Sequence, residues 1–447
     1  MKDFHITRRK FIGTAATVAA FSIVPRHVLG GPNQKSPGEK LNIAGVGVGG
    51  MGAGNLKALE SENIVALCDV DHAYAAGTFK RYPNAKTYTD YREMLDKQKD
   101  IEAVMIATPD HTHAVISMAA IKAGKHVYCQ KPLTHDVHES RMLAWAAKEA
   151  RVATQMGNQG HSMEGIRLIC EWIWDGAIGE IREVDAWCSL SYYPWGHAGW
   201  SSKWGTRPTD TPAVPASLNW DLWLGPAPVR PYHPAYHPAV WRCWWDFGVG
   251  MMGDRGAHTL DAAVWALKLG PPKSIEATSC GLNPDTHPLS AIVTYRFPAR
   301  ENLPPLKLVW YEGTRPPQPE DFDVELEWPR EGGLLFHGTK GRIIAGVYGD
   351  SPRLLPQSLH KEYKRPAKTL PRVNGSHEMD WVRACKTGQP AGSDFSYSGP
   401  LTETCLLGNI AKRVDTLIEW DAANMKVTNL TEANRYVRTE YRPGWSL

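Results

Sequence analysis

Past its first 30 residues, this chain of 447 has no apolar run long enough to cross a bilayer. It also lacks a strong charge bias. The formal net charge is +3, and five bases (Lys2, Arg8, Arg9, Lys10, Arg26) stand in the first 30 positions against one acid, Asp3. The rest is close to neutral, so nothing electrostatic points to nucleic acid. The eight cysteines, at 68, 129, 170, 188, 243, 280, 385 and 405, form no C-x-x-C pair and no zinc spacing. Most read as buried free thiols. His161, His197, His233 and His237 match no metal-ligand spacing, so no metal is expected. Internal repeats and low-complexity blocks are absent as well.

At the N-terminus, Arg8-Arg9-Lys10-Phe11 leads into an apolar stretch over residues 11–24. Its length suits a signal h-region, and the pair resembles a twin-arginine signal, which exports already folded proteins. The expected location is periplasmic or otherwise exported, with no stable membrane insertion afterwards. A polar linker follows at 31–39. The remaining length suggests two domains: 40–160 and 161–447, after a signal and linker at 1–39. In the first, short apolar runs (41–46, 64–68, 103–107, 126–129, 152–156) alternate with helical patterns (51–59, 91–97, 113–123, 137–148), the mark of a parallel α/β sheet. In the second, strand signals at 181–189, 274–279, 291–297, 306–311 and 342–347, with late helices at 377–385 and 401–417, predict an α+β domain on a largely antiparallel sheet.

The strand ending at Ala44 runs into Gly45-Val46-Gly47-Val48-Gly49-Gly50. A G-x-G-x-x-G between a strand and a helix is the phosphate loop of a dinucleotide fold: Gly45 for the tight turn, Gly47 for backbone approach to a pyrophosphate, Gly50 for close helix packing. The helix N-terminus adds N–H donors and a partial positive charge. Asp69 ends the second strand, where a carboxylate would take the ribose hydroxyls and repel a 2′-phosphate. No arginine follows it, which favours NAD over NADP.

Two further strand ends carry Thr108-Pro109-Asp110-His111-Thr112-His113 and Gln130-Lys131-Pro132. With Met156-Gly157-Asn158-Gln159, Gly253 to Asp261 and the 418–424 segment, these resemble the Gfo/Idh/MocA oxidoreductases, the glucose–fructose oxidoreductase and inositol dehydrogenase family, from residue 41 onward. The resemblance implies a Rossmann domain, tightly held NAD and hydride transfer at a secondary hydroxyl of a sugar, glycoside or cyclitol. It implies that Lys131 contacts the reacting hydroxyl, that His258 is the general base, and that Asp254 binds substrate or supports His258. The i, i+4 spacing of Asp254 and His258 puts both on one face if the segment is helical. Thr108, Pro109, Asp110, His113, Gln130 and Asn158 would line the nicotinamide end, while His111 reads as a helix-start residue. Gln130 stands where that family usually has glutamate, removing one source of stabilisation for a charged Lys131. The resemblance also implies a homodimer or homotetramer built on the open sheet face.

Eleven of the 18 tryptophans fall between 172 and 245. Taken singly, each can pin a loop; as a cluster they suit a carbohydrate pocket, with Tyr192, Tyr193, Arg242 and Asp246 as polar partners. Two other functions stay open: an NAD-dependent redox-assisted glycosidase, and a non-catalytic sugar-binding protein that keeps NAD as a structural element.

Overall fold

The computed structural model describes residues 39–192, 200–319 and 328–447. Six short strands, β1 (Asn42–Val46), β2 (Asn63–Cys68), β3 (Lys86–Tyr88), β4 (Ala103–Ile106), β5 (His126–Cys129) and β6 (Thr154–Met156), form one sheet in the order 3-2-1-4-5-6. Every pairing in it is parallel. β4 is fully buried along its length, because helices cover both faces. The connecting helices are α1 (Gly50–Ala58), α2 (Ala76–Arg81), α3 (Tyr91–Lys97), α4 (Asp110–Lys122) and α5 (Val137–Ala150). α5 starts on a capping box: Asp136 accepts from the Glu139 N–H, and Glu139 reaches back to the Asp136 N–H. In this strand order, the crevice between the carboxyl ends of β1 and β4 is where ligands lodge.

After α6 (Glu164–Trp174) the chain builds a second sheet from β7 (Ile181–Cys188), β8 (Ser274–Cys280), β9 (Ser290–Phe297), β10 (Leu306–Glu312), β11 (Gly332–Gly338), β12 (Arg342–Gly346), β13 (Arg353–Leu355), β14 (Ile418–Asp421) and β15 (Lys426–Val427). The order is 13-12-11-7-10-9-8-14-15, antiparallel except where β10 meets β7. This is the largely antiparallel second sheet that the sequence predicts. α7 (Trp220–Leu224) lies in the tryptophan-rich connection, and α8 (Ala257–Ala266), α9 (Gln357–Glu362), α10 (His377–Thr387) and α11 (Phe395–Val414) follow. β9 alternates: Ala291, Val293, Tyr295 and Phe297 are buried, while Ile292 and Arg296 are exposed. Tyr295 donates to the Thr404 carbonyl of α11 at 3.0 Å, so the buried face is the one under that helix. A buried ion pair, Lys412 Nζ to Glu312 Oε2 at 2.7 Å, ties α11 to β10. The opposite face carries a small cluster of Trp187, Leu335, Ile344 and Leu355.

Two elements differ from expectation. α11 begins at Phe395, six residues before the pattern suggests, and contains Pro400. Asp394 caps it by accepting from the N–H groups of Ser396 and Tyr397. Around Asp254 the backbone is a single π-helical turn, Met252–Gly256, leading into α8. Six cysteines are buried free thiols, as the sequence suggests, while Cys385 is half-buried and Cys280 exposed.

Candidate functional site

The loop after β1 requires glycine at particular points. Gly47 has φ +74°, and a Cβ there would stand 2.8 Å from the Ala107 carbonyl at the end of β4. A Cβ on Gly52 would lie 1.9 Å from the Gly47 carbonyl oxygen. Close packing of helix on loop therefore falls to Gly52, not to Gly50. Gly45 and Val48 pack behind the loop, where a Cβ on Gly45 would meet the Val48 side chain at 2.9 Å. No side chain caps the start of α1, so its first turn presents backbone donors to an anion. Asp69 accepts from the N–H of Val48 at 2.8 Å and of Gly49 at 3.3 Å with one oxygen, and from Asp71 N–H at 2.9 Å with the other. It braces the glycine loop while lining the cleft, and burial raises its pKa. The ring of Tyr74 lies across Gly49 and Gly50.

The cleft above this loop has a volume of about 440 Å³. Its floor includes Gly47, Gly49, Gly50, Thr108, Pro109 and Asp110, with Gln130 and Lys131 at one end. Its roof comes from the tryptophan-rich connection and the C-terminal segment: Trp200, Trp223, His237, Trp241, Arg242 and Trp445. The roof is stitched to the first sheet by hydrogen bonds. His72 N–H donates to the Ser217 carbonyl at 3.0 Å, and Asn219 N–H to the Val70 carbonyl at 2.8 Å. His237 Nε2 meets the Asp71 carboxylate at 2.8 Å. His111 faces the Trp223 carbonyl at 2.9 Å and the Phe247 carbonyl at 3.2 Å. Within the roof itself, Arg442 Nε donates to the Gly225 carbonyl at 2.5 Å. A glycine cradle that a Cβ would fill, an uncapped helix start and a carboxylate at the end of β2 together fit a dinucleotide lying along this floor.

At the far end of the cleft the reactive groups converge. The Asp254 carboxylate contacts Lys131 Nζ with one oxygen and accepts from the Tyr192 hydroxyl with the other. Burial first, and then the positive charge of Arg242, draw Lys131 below the ordinary lysine range, against the pull of Asp110. Asp110, whose carboxylate accepts from Val249 N–H at 2.9 Å, is pushed up to about 6 by burial. The Arg242 guanidinium is held between the rings of Trp241, at 4.2 Å, and Trp200, at 4.5 Å.

Residues 41–158 match the family model described as the NAD-binding Rossmann fold of the Gfo/Idh/MocA oxidoreductases, and residues 189–296 match its C-terminal alpha/beta domain. Together the matches take in just over half of the chain. The chain belongs to the Gfo/Idh/MocA oxidoreductase family. Levoglucosan dehydrogenase from Pseudarthrobacter phenanthrenivorans is 30% identical over 156 residues, which is 32% of this chain and 39% of that protein. Inositol 2-dehydrogenase from Salmonella typhimurium is 30% identical over 141 residues, 30% of this chain and 42% of the relative. The matched segment thus spans well under half the length of these curated relatives. Among solved structures, a levoglucosan dehydrogenase complex with NADH aligns with a TM-score of 0.57 at 18% identity, over 85% of this chain and 99% of that one. The WlbA dehydrogenase from Bordetella pertussis, in complex with NADH and UDP-GlcNAcA, aligns with a TM-score of 0.60 at 16% identity, over 86% and 99%. At such identities these two establish the shared fold.

Within this oxidoreductase frame, several expected site residues stand elsewhere. His258 does not line the cleft. It stands in the first turn of α8, directly after the π turn, and its ring packs against Tyr348 at 4.6 Å. Burial, then the charges of Lys131 and Arg255, hold it well below the ordinary histidine range, and its Nδ1 has no hydrogen-bond partner. His113 does not line the cleft either. Its nitrogens meet the carbonyls of Pro132 at 2.8 Å and Thr108 at 2.9 Å, clamping two strand ends together. Burial opposes its charge, but the Cys129 sulfur and both carbonyls outweigh that and raise its pKa. Asn158 is fully buried between Asp261, at 2.9 Å, and Ser393, at 2.7 Å. Asp246 pairs with Arg230 and with Arg207, at 3.3 Å, outside the cleft. Tyr193 lies outside the described residues. The sequence reading missed Gly52, Tyr74, His237 and Trp445. Only Gly52 left a trace, as one more glycine after the expected three.

Proposed function

We propose that this protein is an NAD-dependent oxidoreductase acting on a secondary hydroxyl of a sugar, glycoside or cyclitol. The observation that carries the reading is the contact of Lys131, Asp254 and Tyr192 at one end of a cleft whose other end is the glycine loop. The names of the relatives, levoglucosan dehydrogenase and inositol 2-dehydrogenase, support a polyhydroxylated ring as substrate. Bound NAD supplies the hydride acceptor. Lys131, depressed toward neutrality, takes the hydroxyl proton. Asp254 holds the lysine in place and is itself fixed by accepting from the Tyr192 hydroxyl. Arg242, fixed between two indoles, offers its edge to a substrate oxygen, and the Trp200 and Trp241 faces exclude water. His258, kept neutral, backs the lysine rather than touching substrate.

The roof over the cleft supports tight retention of NAD. The export motif at Arg8-Arg9, outside the described residues, supports a periplasmic setting where free NAD is scarce, and assembly as a homodimer or homotetramer completes the reading. The test is to denature protein purified without added cofactor and identify released nucleotide by mass spectrometry. Absorbance in the reduced-nicotinamide band is then followed while sugars and cyclitols are added to native protein. Released NAD and a band that rises with one substrate are expected. Absence of nucleotide, with no binding of added NAD, sinks the proposal. Cleavage of a glycoside with no lasting change in the band moves the assignment to a redox-assisted glycosidase.

A further inference from the structure

Behind Lys131 runs a buried chain of three side chains that the proposed chemistry does not use. Gln130, Asn55 and Glu378 are each more than nine-tenths buried. Glu378, on α10, accepts from Asn55 Nδ2 at 2.8 Å. Asn55, on α1, accepts at Oδ1 from Gln130 Nε2 at 3.0 Å. Gln130 accepts at Oε1 from the Lys131 N–H at 3.3 Å, and its side chain lies against Gly157, where a Cβ would come within 2.7 Å of it.

The direction of this chain is set at both ends: the Lys131 N–H only donates, and Glu378 closes the other end. A carboxylate only accepts, so Asn55 must turn its NH₂ toward Glu378 and its oxygen toward Gln130. Gln130 must then answer with its own NH₂, which leaves Oε1 to accept from the Lys131 backbone N–H. We infer that Glu378 is a positioning residue for the Lys131 site: through Asn55 it fixes the Gln130 amide so that an acceptor oxygen, never a donor, faces the lysine end. The negative charge sits two side chains away from the lysine instead of beside it. Gln130 thus supplies the acceptor geometry of a carboxylate without its charge, and Lys131 keeps its lowered pKa. This inference rests on the proposed role of Lys131, but its first readout does not.

The experiment exchanges the charge along the chain. Gln130→Glu alone places carboxylates at both ends of an Asn55 that can donate from one end only, so an acceptor is left facing an acceptor. Its melting temperature is expected to fall by roughly 2–5 °C. Glu378→Gln alone is tolerated, because an amide there can accept or donate. The double variant, Gln130→Glu with Glu378→Gln, reverses the chain: the new amide on α10 donates to Asn55, and Asn55 donates to the new carboxylate beside the lysine. It is expected to recover most of the lost melting temperature. A second readout separates positioning from packing. With the carboxylate now beside Lys131, the acid limb of the rate profile moves to higher pH by roughly one unit. Nucleotide content is measured for every variant. A double variant that melts no higher than Gln130→Glu overturns the inference, as does a recovered melting temperature with an unmoved acid limb. Wild-type protein that carries no NAD would instead count against the proposed function, while the melting data would still report on the chain.

Discussion

Lys131 carries opposing demands. Burial and Arg242 push it toward the neutral amine, while Asp254 in contact and Asp110 nearby favour the ammonium. Replacing Asp254 by Asn removes a favourable charge, so the lysine pKa falls further and the acid limb of kcat/KM moves to lower pH. The maximal rate drops by roughly 100-fold, because the amine is no longer held in place. A pH profile of Asp254→Asn checks both, and a limb that moves to higher pH contradicts the assignment. At this scale much was legible in the sequence: Lys131, Asp254 and Arg242, which line the cleft, and Tyr192, which donates to Asp254, all stood out as candidates. His258, expected as the general base, is buried against Tyr348, a contact that no residue type or spacing announces. The π turn at Met252–Gly256 follows i, i+5 spacing and leaves no mark in residue type.

Among the elements, the loop from β1 to α1 is the most tightly constrained. Gly52→Ala would put a methyl group 1.9 Å from a backbone oxygen, which no flexible side chain can relieve. The expected result is loss of NAD binding and a destabilisation of about 1–3 kcal/mol. Calorimetric titration with NAD and denaturant unfolding read these separately, and an unchanged NAD affinity would show that the loop tolerates the shift. The apolar strands of the first sheet were readable because burial on both faces makes them continuous. β11 (Gly332–Gly338) was not, since its two leading glycines read as a turn. Nor was the start of α11, where Pro400 reads as a stop although Asp394 has already nucleated the helix.

Across the whole molecule, buried histidines join the roof to the first sheet. His111 is depressed to about 4 by burial. In the unfolded chain such a ring takes a proton near 6.5, whereas the folded protein refuses it until about 4. Between those values the unfolded state binds more protons, so stability falls as pH drops through that window. A melting temperature that declines from about pH 7 to about pH 5 is expected, with a shallower decline in His111→Asn. An equal slope in both proteins would remove His111 from the account.

The roof also has a consequence for biosynthesis. Val46 at the cleft floor and Trp445 at its edge are separated by nearly 400 positions in the sequence, so the enclosure forms only once the segment carrying Trp445 has been made. The first sheet can form early, yet a nucleotide resting on it then would have no lid. Closure of the roof over a bound nucleotide therefore waits for the segment that carries Trp445.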